Sequence, residues 1–164
     1  MSGFLLDTNI PSELTRQESA PRVERWLEEA NDEELYFSVI SLGEILNGIT
    51  VLPASKRRDG LQAWLDGTLR PWFDGRILPV TAPIAERWGL LSGECRLRGR
   101  QVKVADGLIA ATALHHGLTL VTRNVKDFSG MGVRLLNPWE VRRRGATSDR
   151  GGATLRPRGE PRNK

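Results

Sequence analysis

Gly3-Phe4-Leu5-Leu6-Asp7-Thr8-Asn9 is the stretch from which the rest of the chain is read. Its apolar run is far shorter than the roughly 20 residues a membrane-spanning helix needs, and it ends directly on a carboxylate. A run of this kind reads as a short buried strand. An acid placed immediately after it stands at the strand's carboxyl end, where open α/β sheets hold their ligands. Two further acids have comparable settings: Glu44 in Ser41-Leu42-Gly43-Glu44-Ile45-Leu46, and Asp106 in Ala105-Asp106-Gly107-Leu108-Ile109-Ala110-Ala111. Both interrupt segments that otherwise read as buried helix. Three acids far apart in sequence, each at a core edge, point to one converging site. A site that gathers only carboxylates suits a hard divalent cation such as Mg2+ or Mn2+.

Working outward, apolar periodicity alternates between strand and helix. After the strand Phe4 to Leu6, a helix is expected from Pro11, a residue suited to a first helical turn. Pro21 to Ala30 places Val23, Trp26 and Leu27 at i, i+3 and i+4. Leu35 to Val39 reads as a second strand, with Ser41 capping the helix that follows. That helix carries Leu42, Ile45, Leu46 and Ile49 on one stripe and leaves Glu44 at its flank. Residues 54–74 read as helical, Arg76 to Val80 as strand, and Pro83 to Arg98 as a helix with Ile84, Trp88, Leu91 and Cys95 along one side. Ala105 to His116 is a helix of small residues stopped by Gly117. Leu118 to Thr122 and Val133 to Leu136 complete the strands. The alternation predicts an α/β fold, with a short, mainly parallel sheet of four to five strands sandwiched between helical layers.

The chain of 164 residues, 39% hydrophobic and 27% charged, suits one globular domain with a short tail. Its lone cysteine, Cys95, excludes an internal disulfide and a thiolate zinc cage. With no secretory-type leader at the N-terminus, a reducing cytoplasm is the expected location. The formal charge of +4 is unevenly spread. Residues 142–164 hold eight Lys/Arg against two Asp/Glu, whereas the remaining 141 residues hold 16 against 18. The basicity therefore belongs to the tail and says little about the body's partners. Residues 1–141 are read as the domain, and 142–164 as a tail with too little apolar surface to order itself.

Each acid alone has an ordinary explanation. Asp7 could cap the following helix, Glu44 could be a surface residue, and Asp106 could be a first-turn acid favoured by the helix dipole. Their combination with Thr122-Arg123-Asn124-Val125-Lys126-Asp127-Phe128 is more specific. Together these segments resemble the PIN-domain ribonucleases, in particular the VapC-like toxins of toxin–antitoxin pairs. An LLDTN-type start is matched by Leu5 to Asn9. An S-x-x-E-I/L-x-x-G helix is matched by Ser41 to Gly48, and a D-x-x-I-A-A-T-A helix by Asp106 to Ala113. A strand ending in T-R-D/N is matched at Thr122-Arg123-Asn124, and the ending Leu136-Asn137-Pro138-Trp139-Glu140 is similar to the plasmid-stability branch. The resemblance covers residues 3–141 in order.

The resemblance implies a PIN fold and metal-dependent cleavage of RNA to 5′-phosphate and 3′-hydroxyl ends. Asp7, Glu44 and Asp106 would hold one or two Mg2+ or Mn2+ ions. The fourth acid departs from the pattern, because Asn124 stands where some members carry Asp; either Asp127 fills the position or Asn124 serves as a polar ligand. A homodimer and a small VapB-like antitoxin are implied as well, the antitoxin placing a basic side chain near the acids. Arg100 and Lys103, in a basic run before Asp106, and Arg123 are candidate RNA-phosphate contacts beside their ordinary reading as solvated helix ends. Adjacent helical residues point about 100° apart, so His115 and His116 do not easily serve one site and read as helix-end capping residues. The tryptophans mostly follow helical stripes and are read as packing residues.

Three other readings compete with this one. A catalytically weak PIN-like module that only binds RNA or protein is kept open by Asn124. A haloacid dehalogenase-type phosphatase would use Asp7 as nucleophile, but position 9 is Asn where its second acid belongs. A helix-turn-helix regulator is disfavoured by the βα alternation. The tail supplies the first prediction: deleting residues 145–164 should leave the melting temperature and saturated cleavage rate nearly unchanged. It should weaken RNA binding mainly at low salt. A truncated chain that is inactive at saturating RNA would show instead that the tail docks on the domain.

Overall fold

The computed structural model describes residues 2–140. Its elements are β1 (Phe4–Leu6), α1 (Asn9–Glu13), α2 (Pro21–Glu29), β2 (Leu35–Ser38), α3 (Val39–Thr50), α4 (Lys56–Trp64), α5 (Arg70–Trp72), β3 (Ile77–Leu78), α6 (Ala82–Leu97), α7 (Val104–His116), β4 (Thr119–Val121), α8 (Val125–Phe128) and β5 (Leu135–Leu136). The five strands form one sheet in the order β3-β2-β1-β4-β5, and every neighbouring pair is parallel. The basic segment from 142 onward, and the boundary placed at 141, lie outside the described residues.

Strand alternation divides the core between two faces. Leu6, Leu35, Phe37 and Val121 pack with Val23 of α2, Ile49 of α3 and the Leu65–Phe73 region. Leu5 and Leu120 point to the opposite face, with Leu91 and Cys95 of α6 and Ile109, Ala110 and Ala113 of α7. Burial on both faces is what lets strands of two to four residues persist. The result is the expected three-layer α/β/α sandwich, with a sheet that is parallel throughout.

Topology fixes where a site can form. β1 is central, paired on one side with β2 and on the other with β4, its Leu6 level with Phe37 and Val121. The chain builds outward from β1 through β2 to β3, then crosses by α6 and α7 to β4 on the other flank. The strand order therefore reverses at β1, and the crevice at the strands' carboxyl ends is the place where such sheets bind ligands. Asp7, Ser38 and Thr122 are the residues that stand there.

Several local expectations need correction. α3 begins two residues before Ser41: the helix is capped by Ser38, whose Oγ accepts from the Ile40 N–H at 3.1 Å. Ser41 is instead buried inside the helix, and Leu46, placed on the buried stripe by periodicity, is exposed. The helical region expected over 54–74 is present as a continuous run, wound as α4, a wider π-type segment at Leu65–Leu69, and α5. Pro71, which has no N–H to donate back into the preceding turn, accounts for the altered winding. The strand read over Arg76 to Val80 contracts to Ile77–Leu78, ending at Pro79, which has no N–H for the ladder.

The small residues of α7 do what their size suggests. A Cβ built on Gly107 would lie 2.7 Å from Cδ1 and 2.9 Å from Nε1 of Trp88 on α6, too close for real atoms. Gly107→Ala should therefore push α6 and α7 apart and cost about 1–3 kcal/mol, the usual range for overpacking. Thermal unfolding checks this, and an unchanged melting temperature would show that Trp88 can swing aside. At the other end α7 stops at Gly117, which adopts φ 65° and lets the Leu118 N–H reach back to the Ala113 carbonyl at 2.9 Å.

Candidate active site

Asp7 follows β1 directly and is almost wholly buried, with 6% of its surface exposed. Burial normally drives a carboxyl toward its neutral form, so the charge must be supported by hydrogen bonds. Three residues supply them. The Thr122 hydroxyl donates to Oδ2 at 2.7 Å, the Thr8 N–H donates to Oδ1 at 2.8 Å, and Asn9 Nδ2 donates to Oδ2 at 3.2 Å. Burial still prevails and raises the Asp7 pKa, with the Glu44 charge adding to it.

Thr122 is itself held in place. It is fully buried one residue past β4, and its Oγ accepts from the Asn124 N–H at 3.0 Å. Asn9 bridges the same strand ends from the other side, its Oδ1 accepting from the Arg123 N–H at 3.3 Å. Glu44 comes from α3, whose start beside the end of β2 aims its exposed face across the crevice. Its Oε2 accepts from the Thr8 hydroxyl at 2.7 Å, so Thr8 joins Glu44 to the Asp7 turn.

Asp106 lies in the first turn of α7, half-buried, and its pKa is pushed up to about 6. Desolvation is the largest cause, followed by the charges of Asp127, Asp7 and Glu44, while Lys103 pulls the other way. Asp127 thus acts more strongly on Asp106 than either of the other two acids. Asp7, Glu44, Asp106, Asn124, Asp127 and Lys103 all line one concavity of about 480 Å³, together with Thr8, Asn9, Asn47 and Ala105. The residues singled out in the sequence as catalytic or metal-binding all line this concavity, Asn124 and Asp127 both among them. Among the described residues no three acid, histidine or cysteine side chains make a ready-made metal cage. The donor set is nonetheless all oxygen, strongly anionic and opposed by a single lysine, which fits a hard cation better than any other group.

The three basic candidates divide. Lys103 stays at the concavity, at the N-terminus of α7. Arg100 is committed elsewhere, donating from Nη2 to the carbonyls of Lys126 and Asp127 at 2.8 and 2.7 Å. It anchors α8 and so fixes the backbone that carries Asp127. Arg123 lies over the Trp139 ring, 5.4 Å from its centroid. Sequence reasoning missed the supporting residues Thr8, Asn9, Asn47 and Thr122. Asn47 was within reach of it, since a residue three after Glu44 shares its helix face. Thr122 shows itself only once the β1–β4 register is known.

Comparison with known proteins identifies the family. The PIN domain family profile matches residues 4–132. The chain is 37% identical over 137 residues to "VapC ribonuclease Y4jK" of Sinorhizobium fredii, covering 84% of this chain and 98% of that protein. It is also 37% identical over 136 residues to "Toxin FitB" of Neisseria gonorrhoeae, covering 83% and 98%. Among solved structures it superposes on a chain of the FitAcB crystal structure from Neisseria gonorrhoeae with a TM-score of 0.79 at 36% identity, covering 84% of this chain and 99% of that one.

Proposed function

The chain belongs to the PIN domain family, and we propose that it is a divalent-metal-dependent endoribonuclease, the toxin of a toxin–antitoxin pair. The observation that carries the reading is the set of four acids around one concavity at the carboxyl end of the central strand, with Asp106 raised by burial first and then by the charges of the other three. Carboxylates gathered this closely repel one another and an RNA phosphate alike, so a bound cation relieves both. Asp7, Glu44, Asp106 and Asp127 would hold Mg2+ or Mn2+. A cation held there would supply positive charge against the scissile phosphate and lower the pKa of water near it.

The chain's own residues do the positioning. Thr122, Thr8 and Asn9 fix the Asp7 carboxylate against rotation, and Thr8 links Glu44 to the same turn. Arg100 holds the backbone of Asp127. Lys103 leaves one positive charge beside the acids to meet a phosphate. No side chain is needed as a nucleophile. With Asp127 in the concavity, the missing acid at Asn124 no longer favours a merely binding role. The similarity to a protein named Toxin FitB and to the FitAcB structure supports a VapB-like antitoxin as partner. An RNA substrate and a buried free thiol at Cys95 support a cytoplasmic location.

Purified protein should fragment single-stranded RNA in Mg2+ or Mn2+ and be silent in excess chelator; undiminished fragmentation in chelator would refute the metal dependence. Thr122 offers a finer test. Thr122→Val keeps the volume but removes the donor to Asp7 and the acceptor for the Asn124 N–H. Supporting hydrogen bonds of this kind are worth roughly 10–100-fold in metal affinity. Calorimetric Mn2+ titration should show such a loss for Thr122→Val and little change for Thr122→Ser. Equal Mn2+ affinity in all three proteins would reduce Thr122 to a packing residue.

A further inference from the structure

A concavity larger than the acid site lies elsewhere on the described surface. It is a groove of about 760 Å³ between the segment after α1 and the exposed side of α4, lined by Thr15, Arg16, Gln17, Arg57 and Trp64 among others. We propose that this groove is a binding subsite for single-stranded RNA, holding a nucleotide that flanks the one cleaved. The inference rests on the ribonuclease reading above.

Its position is the first support. α1 runs from Asn9, at the acid site, to Glu13, two residues short of Thr15 at the groove, and its five residues span about 7.5 Å at about 1.5 Å each. One strand passing over the acids can reach both. Charge is the second. The acids repel RNA, the 141-residue body is close to neutral, and two of the three basic residues expected beside the acids are occupied, Arg100 on carbonyls and Arg123 on Trp139. Arg16 and Arg57 supply two guanidinium groups where the lining holds no acid. Arg16 is tied to Glu13 at 3.4 Å, whereas Arg57 is exposed and makes no ion pair among the described residues.

Chemistry is the third support. Guanidinium groups beside an aromatic face, with an amide and a hydroxyl at the rim, make up the usual platform for single-stranded nucleic acid: phosphates meet arginines and a base stacks on the ring. Trp64 packs one side against the core cluster and lines the groove with the other. Its ring is therefore held before any ligand arrives, which lowers the ordering cost of binding.

The test uses the full-length Asp106→Asn protein, which should bind RNA without cutting it, and a fluorescein-labelled 12-nucleotide single-stranded RNA in Mg2+. In that background Arg57→Glu should raise Kd about tenfold. It should also reduce the slope of log affinity against log salt by about 0.7, the share of one phosphate contact. Arg57→Lys should fall between the two. The same RNA carrying 5-iodouridine should crosslink to the peptide containing Trp64. Melting temperatures establish that each variant is folded. Unchanged affinity and salt slope in folded Arg57→Glu, with crosslinks elsewhere, would overturn the proposal and leave the groove to a protein partner. If the Asp106→Asn protein does not bind this RNA and the parent does not cut it, the ribonuclease reading itself fails, and the groove's role with it.

Discussion

Asp106→Asn is expected to lower RNA cleavage by roughly 10³-fold, the scale on which loss of a group acting on the reacting charge is felt. It should at the same time raise the melting temperature of the metal-free protein near pH 7.5. Both effects come from one electrostatic fact. The Asp106 carboxyl has its pKa raised from 3.8 to about 6 by burial and by Asp127, Asp7 and Glu44. A raised acid pKa means that the folded state disfavours the charged form. Below pH 3.8 the group is protonated in both folded and unfolded chains and costs nothing. The penalty grows as pH rises from there to about 6 and is complete above it. The gap in melting temperature between variant and parent should therefore be nearly closed at pH 3.5, open with rising pH, and level off above about 6. Mn2+ should stabilise the parent at pH 7.5 far more than the variant. A variant that retains full activity, freed of contaminating nuclease, would remove Asp106 from the site.

The second large effect is expected at the fourth acid. Asp127→Asn should reduce cleavage by about 10²-fold, while Asn124→Ala should cost much less. After burial, Asp127 is the strongest influence raising Asp106, and both line the same concavity. Its replacement should consequently lower the Asp106 pKa, which carboxyl NMR titration reads directly. Arg100 binds the backbone carbonyls of Lys126 and Asp127, so neutralising the side chain should not displace the segment. Asn124 contributes its backbone N–H to Thr122, and alanine preserves that bond. The ordinary alternative is that Asp127 merely caps a turn, where asparagine caps nearly as well. Parent-like activity of Asp127→Asn across a Mg2+ titration would support that alternative.

The parts of the fold legible in the sequence are those set by patterns of burial. A run of apolar residues ended by Asp7 marks a strand and its ligand-binding end without reference to anything distant. The alanines and glycine after Asp106 signal close helix packing, and the clash a Cβ at Gly107 would make with Trp88 shows where that closeness is used. What the sequence conceals is set by choices among local partners. Ser38 and Ser41 can each cap a helix, and only the length of β2 decides for Ser38. Arg100 can reach RNA or a carbonyl, and only the return of the chain at α8 supplies the carbonyls. Thr122 becomes a partner of Asp7 because β1 and β4 pair in the register that puts Leu6 beside Val121. Register between distant strands is a tertiary fact that no local pattern encodes.

The central claim is that these carboxylates cut RNA through a divalent cation and water. The most direct measurement is the chemistry of the product ends, taken with Mg2+ or Mn2+ present and with both removed. Hydrolysis by an activated water should leave 5′-phosphate and 3′-hydroxyl termini, formed only when the cation is present and absent in Asp106→Asn. Fragments ending in 2′,3′-cyclic phosphate, or cleavage that persists without any divalent cation, would contradict the account.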